Sequence, residues 1–213
     1  MAVNKIFLKN TFWQSGGNIS AQIINILSFP IITRTFTPAD VGYMNLFIEL
    51  LALITILISF RIEQLIILPK NNSEANNLYG FVFTWGLLCS AFLTILIICL
   101  FALKFIQSEY IAWVLILPFT AFILALSNAA QALSQRSANF KLSGISEIVN
   151  RSSYSVIAIL SGVFGASGFM LGVSVALGYL FKLLTFFRYI NFHLRYFFTT
   201  FSIGLRQIKN LKF

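Results

Sequence analysis

Apolar residues run through this chain in long stretches that hold no Asp, Glu, Lys or Arg: Asn10–Thr33, Ala75–Leu103, Tyr110–Gln135 and Ser152–Phe181. About 20 apolar residues carry a helix across a hydrocarbon core roughly 30 Å thick. The first three stretches therefore predict one span each. The fourth would extend about 45 Å as a single helix. Gly162, Gly165 and Gly168, around Ala166 and Ser167, predict that it breaks into two spans joined by a tight turn. Val41–Phe60 predicts a further span although it includes Glu49. The expected helices lie near 11–33, 42–60, 78–101, 110–133, 144–162 and 168–188, an all-α, six-span bundle over residues 1–190. Pro30 and Pro118 fall inside two of them, where membrane helices tolerate proline and usually kink. Beyond Arg188 the pattern changes. Phe197, Phe201, Leu205 and Ile208 recur at i, i+4, i+8 and i+11, with Arg195, Ser202, Arg206 and Lys209 on the other face. This predicts a basic amphipathic cytoplasmic tail over 191–213, lying on the membrane surface or serving as an ordinary linker.

Composition agrees with lipid as the solvent. The chain is 58% hydrophobic and 10% charged, with mean hydropathy +0.86, whereas soluble domains are about a quarter charged. An ordinary soluble enzyme, a disordered chain and a secreted disulfide scaffold are excluded. The net charge of +9 would suggest nucleic acid in a soluble chain, but membrane proteins gather Lys and Arg on the cytoplasmic side. With the N-terminus inside, Lys5, Lys9, Arg61, Lys70, Arg136, Lys141, Arg151, Lys182, Arg188, Arg195, Arg206, Lys209 and Lys212 fall on the cytoplasmic side, and only Arg34 and Lys104 outside. The expected topology is N-in and C-in, with membrane lipids and no nucleic acid as partners. Cys89 and Cys99 stand about 15 Å apart on one helix, too far for a mutual disulfide. The lone His193 has no metal-ligand spacing around it, so neither metal nor cofactor is expected. Gln14, Asn18, Gln22 and Asn25, with no small-x-small site after them, make the first stretch a retained helix rather than a cleaved leader.

Hydrocarbon rejects unpaired polar groups, so those inside spans turn to protein or to a water-filled cavity. Gln14, Asn18, Gln22 and Asn25 sit at i, i+4, i+8 and i+11, on one face of a helix, with Thr11 and Ser28 close by. Uncharged carboxamides suit sugar hydroxyls; bonding between helices is the plainer alternative. Asn45 and Glu49 share a face of the second span. Glu49 is a candidate to carry a proton or cation, or only to partner Arg34 or a buried donor. Gln131 lies with Ser127, Ser134 and Gln135 at the inner end of the fourth span, as a further cavity candidate. Glu147 and Arg151, at i, i+4, suggest an intrahelical ion pair. Arg61, Arg136, Lys141 and Arg151 are the candidates to hold an anionic headgroup such as a pyrophosphate, a task for which arginine's planar fork is suited. Arg61 and Glu63, two apart, are expected on different helix faces. Gly168 and Gly172 form a GxxxG, which favours close helix packing. No GxSxG, paired carboxylates or His cluster appears, so no enzyme is expected.

RTFTPADVGYMNLF (34–47) resembles the first outer loop of the polysaccharide flippases, with Arg34, Pro38, Gly42 and Tyr43 matching its pattern. QALSQRSANFKLSGISEIVNRSSYSV (131–156) is similar to their inner loop after the fourth span, and GVFGASGFMLG (162–172) to their turn into the sixth. The resemblance spans essentially the whole chain. It implies the MATE-like multidrug/oligosaccharidyl-lipid/polysaccharide superfamily, and within it an O-antigen or capsule repeat-unit transporter of lipopolysaccharide and surface-polysaccharide biosynthesis. It further implies movement of undecaprenyl-pyrophosphate-linked oligosaccharides across the bacterial inner membrane by alternating access. A drug or cation antiporter, or an inactive truncated lobe or scaffold, is the alternative. Relatives of twelve or fourteen spans imply that these six form one N-terminal lobe. That lobe would be a truncated frame, one half that pairs with a separate C-terminal half, or half of a homodimer.

Overall fold

A computed structural model describes residues 2–69, 71–105, 107–108 and 110–187, with side chains from Lys9 onward. The amphipathic tail expected over 191–213 lies outside the described residues. Among those residues the chain forms six long helices and one short one, and no strand. They are α1 (Ala2–Thr35), α2 (Pro38–Ser59), α3 (Ile62–Leu65), α4 (Asn72–Ala102), α5 (Ile111–Arg136), α6 (Phe140–Val163) and α7 (Phe169–Phe186). Four of them, α2, α4, α5 and α7, are long and apolar enough to cross a membrane. The two other long helices, α1 and α6, are diluted by carboxamides, serines and glycines.

Those two helices pack along each other. Gly17 of α1 meets Gly144 of α6 so closely that a Cβ on Gly17 would stand 2.4 Å from the Gly144 Cα. Further along, Ser155 donates to Ser28 across 2.9 Å, and the Ser28 hydroxyl donates in turn to the Asn25 main-chain carbonyl. At the far end a Cβ on Gly162 would clash with the Thr35 hydroxyl at 2.4 Å. Each contact joins residues a constant distance apart in sequence, so α1 and α6 run parallel and in register. On α1 the contact positions Gly17, Ala21, Ser28 and Thr35 advance by a step of four and then by heptads, the period of nearly parallel, left-handed helix pairs. Small side chains let the backbones approach, which is how helices adhere in a solvent as apolar as they are.

The remaining helices gather around α5, which touches α2, α3, α4, α6 and α7. It is buried on more than one side, with Ala121, Ala125, Ala129 and Ala132 along one face and Ser127 and Ser134 along another, small enough to admit neighbours all round. Ser90 of α4 donates to the Pro118 carbonyl at 3.0 Å. By contrast α1 leans on α6 and not on its sequence neighbour α2. Bulky apolar side chains cover the outside of the bundle, with Phe92 of α4 66% exposed and Phe12 of α1 74% exposed. In water such a surface would be a liability; in lipid it is the favoured one.

Two of the sequence motifs meet at one end of the bundle. Thr37 caps α2 by accepting from the Asp40 amide at 3.2 Å, and the Asp40 carboxylate accepts from the Thr37 amide at 3.1 Å, with Pro38 opening the helix. The turn after α6 lies on this box. Gly165 takes φ +66°, the left-handed cap conformation glycine favours, with Ala166 N–H bonding Ser161 and Gly165 N–H bonding Gly162. Gly168 then faces Asp40, where a Cβ would overlap the carboxylate. Gly172 faces the Trp113 ring, which also meets Phe47, Tyr43 and Phe169. The GxxxG of 168–172 thus accommodates a capping carboxylate and an indole. Backbone-to-backbone contact is made instead by Gly17 and Gly144.

Replacing Gly144 by Ala is expected to cost about 1–3 kcal/mol through overpacking, seen as a lower melting temperature in detergent. Gly16→Ala, where a Cβ meets nothing within 4 Å, should leave melting unchanged.

Candidate functional site

Because α1 departs from α2, a cleft opens between them, floored by α6 and α7. Its cavity of about 150 Å³ is walled by Asn25 and Phe29 of α1 and by Met44, Asn45 and Ile48 of α2. Asn150, Arg151, Tyr154, Val175 and Tyr179 form the floor. The Tyr154 hydroxyl donates to the Met44 sulfur at 3.0 Å, tying floor to wall. Gly178 lets α7 approach Asn150, whose carbonyl oxygen would stand 3.1 Å from a Cβ there. Three residues expected from sequence, Asn25, Asn45 and Arg151, therefore come together from three helices.

The charges around this cavity are arranged differently from the expectation. Glu147 does not pair with Arg151 on its own helix. It accepts from the Lys182 ammonium of α7 at 2.6 Å, with the lysine side chain 5% exposed. The short contact across two helices satisfies both ions where water is scarce. Arg151, half-buried, makes no hydrogen bond or ion pair among the described residues, and it lines the cavity. Arg151 and Lys182 stand inside α6 and α7, within the spans expected near 144–162 and 168–188.

A second cavity, of about 400 Å³, lies at the end of the bundle that holds the α2–α4 and α5–α6 connections. Arg61, Glu63 and Gln64 line it together with Asn128, Gln131 and Gln135 of α5. Gln131 and Gln135 both donate to the Ser143 hydroxyl, at 2.9 and 3.4 Å. Arg61 and Glu63 were expected to diverge, but they share this cavity. Phe60 and Arg61 both take positive φ, 46° and 54°, so the chain leaves the helix between α2 and α3 and helical periodicity no longer applies. Ala52, Thr55 and Ile56 of α2 also line the second cavity. Asn45, Glu49, Ala52 and Ile56 recur at i, i+4, i+7 and i+11, so one stripe of α2 connects the two cavities. Glu49 is exposed on that stripe and makes no ion pair with Arg34.

Asn18 and Gln22 are exposed on α1, beside the packing stripe, and line neither cavity; Gln14 is partly buried, its carbonyl oxygen without a partner. None of the four α1 carboxamides hydrogen-bonds another helix among the described residues, so nothing in the packing uses them as interhelical bonds. Lys141 lies over the Trp13 ring at 5.3 Å, joining the first turn of α6 to α1. Arg136 reaches back to the α3–α4 connection. Its guanidinium donates to the carbonyls of Ile67 (3.4 Å) and Pro69 and to Asn72 Oδ1 (3.3 Å). Sequence reading did not single out Asn150, Tyr154, Tyr179 or Lys182; only the adjacency of Asn150 to Arg151 within 131–156 pointed that way.

Residues 7–213 match the family described as "Polysaccharide biosynthesis protein". No curated protein and no solved structure matches the chain.

Arg136 anchors the connection between α3 and α4. Hydrogen bonds from a charged donor contribute about 1.5–3 kcal/mol, so Arg136→Met should lower thermal stability by that order. It should also speed limited proteolysis between α3 and α4, and proteolysis at the wild-type rate would contradict the anchoring role.

Proposed function

The chain belongs to the polysaccharide biosynthesis family of flippases and MATE-like transporters, and from that premise we propose that this multi-pass membrane protein translocates undecaprenyl-pyrophosphate-linked oligosaccharide units across the bacterial inner membrane for O-antigen or capsule assembly. The observation that carries the reading is the guanidinium of Arg151, unpaired among the described residues and set in a cleft with three carboxamides, Asn25, Asn45 and Asn150. A planar cation with five donors matches a pyrophosphate. Neutral amides beside it suit sugar hydroxyls, offering both donors and acceptors without charge. The larger cavity, with Arg61, Gln131 and Gln135, extends this polar lining along α2 toward the end that the positive-inside rule assigns to the cytoplasm, with N-in and C-in topology. Glu49, on the stripe between the cavities, is the residue proposed to couple an ion to transport. Lys141, exposed at the first turn of α6 on the same side, is suited to attract an approaching headgroup; Arg136 is engaged with backbone.

The cleft between α1 and α2 is open to the outside of the bundle. A groove lined by amides and a cation is costly against acyl chains, which supports a second six-helix lobe covering it, from another copy or from a separate chain.

Reconstituted in liposomes with a fluorescent pyrophosphate-linked disaccharide lipid, the protein should accelerate its transbilayer movement, measured by dithionite quenching. Arg151→Gln should slow this at least tenfold and leave insertion intact. A rate indifferent to Arg151→Gln would overturn the proposal, and movement no faster than in protein-free liposomes would overturn transport by copies of this chain alone. Efflux of a cationic dye in place of the lipid would favour the antiporter reading.

A further inference from the structure

Arg151 has a carboxylate within reach that it does not use. Glu147 lies one turn earlier on α6, at i−4. That spacing brings Cβ atoms to about 5–6 Å, and an acidic residue N-terminal to a basic one is the favourable order. Left to itself, such a pair would close, the more readily where water is scarce and charges attract strongly. In this structure the carboxylate is turned instead to Lys182 of α7, at 2.6 Å. Lys182 is 4% exposed and lies one turn from Tyr179, which shares the cleft floor with Arg151. The ion pair therefore stands one turn along both helices from the cavity wall. The three ions together carry one net positive charge, and the arrangement leaves it on Arg151.

We infer that Lys182 is a positioning residue for the headgroup site: by holding Glu147 across the α6–α7 contact, it keeps that carboxylate from neutralising Arg151. This rests on the reading of Arg151 as the pyrophosphate-binding group. The alternative role for a buried pair, a clamp between helices, makes a different prediction. Removing both partners of a clamp leaves the helices unclamped, whereas removing both partners here leaves Arg151 free, as in the native protein.

The test measures binding of farnesyl pyrophosphate to the purified full chain in detergent by thermophoresis. Lys182→Met releases Glu147 and should weaken binding at least tenfold. Lys182→Gln keeps a donor to the carboxylate, and so preserves the helix contact if the methionine variant folds poorly. Its neutral amide holds the carboxylate more weakly than the ammonium does, so Glu147 is partly released and binding should weaken in the same direction, by less than in Lys182→Met. The double variant Glu147→Gln/Lys182→Gln should return affinity to within threefold of wild type. Wild-type affinity in Lys182→Gln, or a double variant no tighter than the single, would overturn the inference. Arg151→Gln separates the two levels. If it too binds as wild type, the headgroup reading itself fails; if it weakens binding while Lys182→Gln does not, only the role of Lys182 falls.

Discussion

The contact between Gly17 and Gly144 is the constraint on which the arrangement of the bundle depends. A Cβ at either position would run into backbone, so α1 lies against α6 only because both residues are glycine. The register set there continues through Ser28 and Ser155 to Thr35 and Gly162. A helix committed to α6 along its length cannot also close against α2. The cleft between α1 and α2 follows, and with it the exposure of Asn25, Asn45 and Arg151 to a common space. Helix association in lipid has no hydrophobic gain to draw upon, and small residues and a buried hydroxyl pair supply the adhesion. The polar faces that lower the hydropathy of α1 and α6 are thus of two kinds, one used in packing and one left open.

Charge is managed with the same economy. A bundle with few ions could place all of them in the connections, yet Glu147, Arg151 and Lys182 stand well inside α6 and α7. Pairing Glu147 with Lys182 meets the demand that buried charges be compensated, and it does so between helices. Arg136 answers a different need. It donates to carbonyls in a connection where helices end, groups that would otherwise lack partners. Similar residue types therefore perform different tasks, set by which acceptors the local backbone presents.

Much of the architecture was legible in the sequence. Charge-free runs and glycine clusters point to helices and to the turn at 164–168, and the all-α membrane class follows from them. The same reasoning paired Glu147 with Arg151 on one helix, because it has no means of seeing a partner such as Lys182 on another. It separated Arg61 from Glu63 by helical periodicity, which fails where Phe60 and Arg61 take left-handed backbone. The stripe of Gly17, Ala21, Ser28 and Thr35 was present in the sequence, one position removed from the more conspicuous carboxamides. Its meaning depended on a mate far along the chain, and periodicity within one helix carries no information about that mate. Of the α1 carboxamides only Asn25 reaches the cavity, since the cleft is bounded by the positions that α2 and α6 occupy and not by the length of the stripe.

A cleft lined by Asn25, Asn45 and Arg151 should hold water although the helices around it face lipid. Single cysteines at Asn25 and Asn45, in a chain with Cys89 and Cys99 replaced, should react rapidly with a membrane-impermeant maleimide. A cysteine at Phe92, on the outer face of α4, should not. Labelling at Asn25 and Asn45 as slow as at Phe92 would contradict the account.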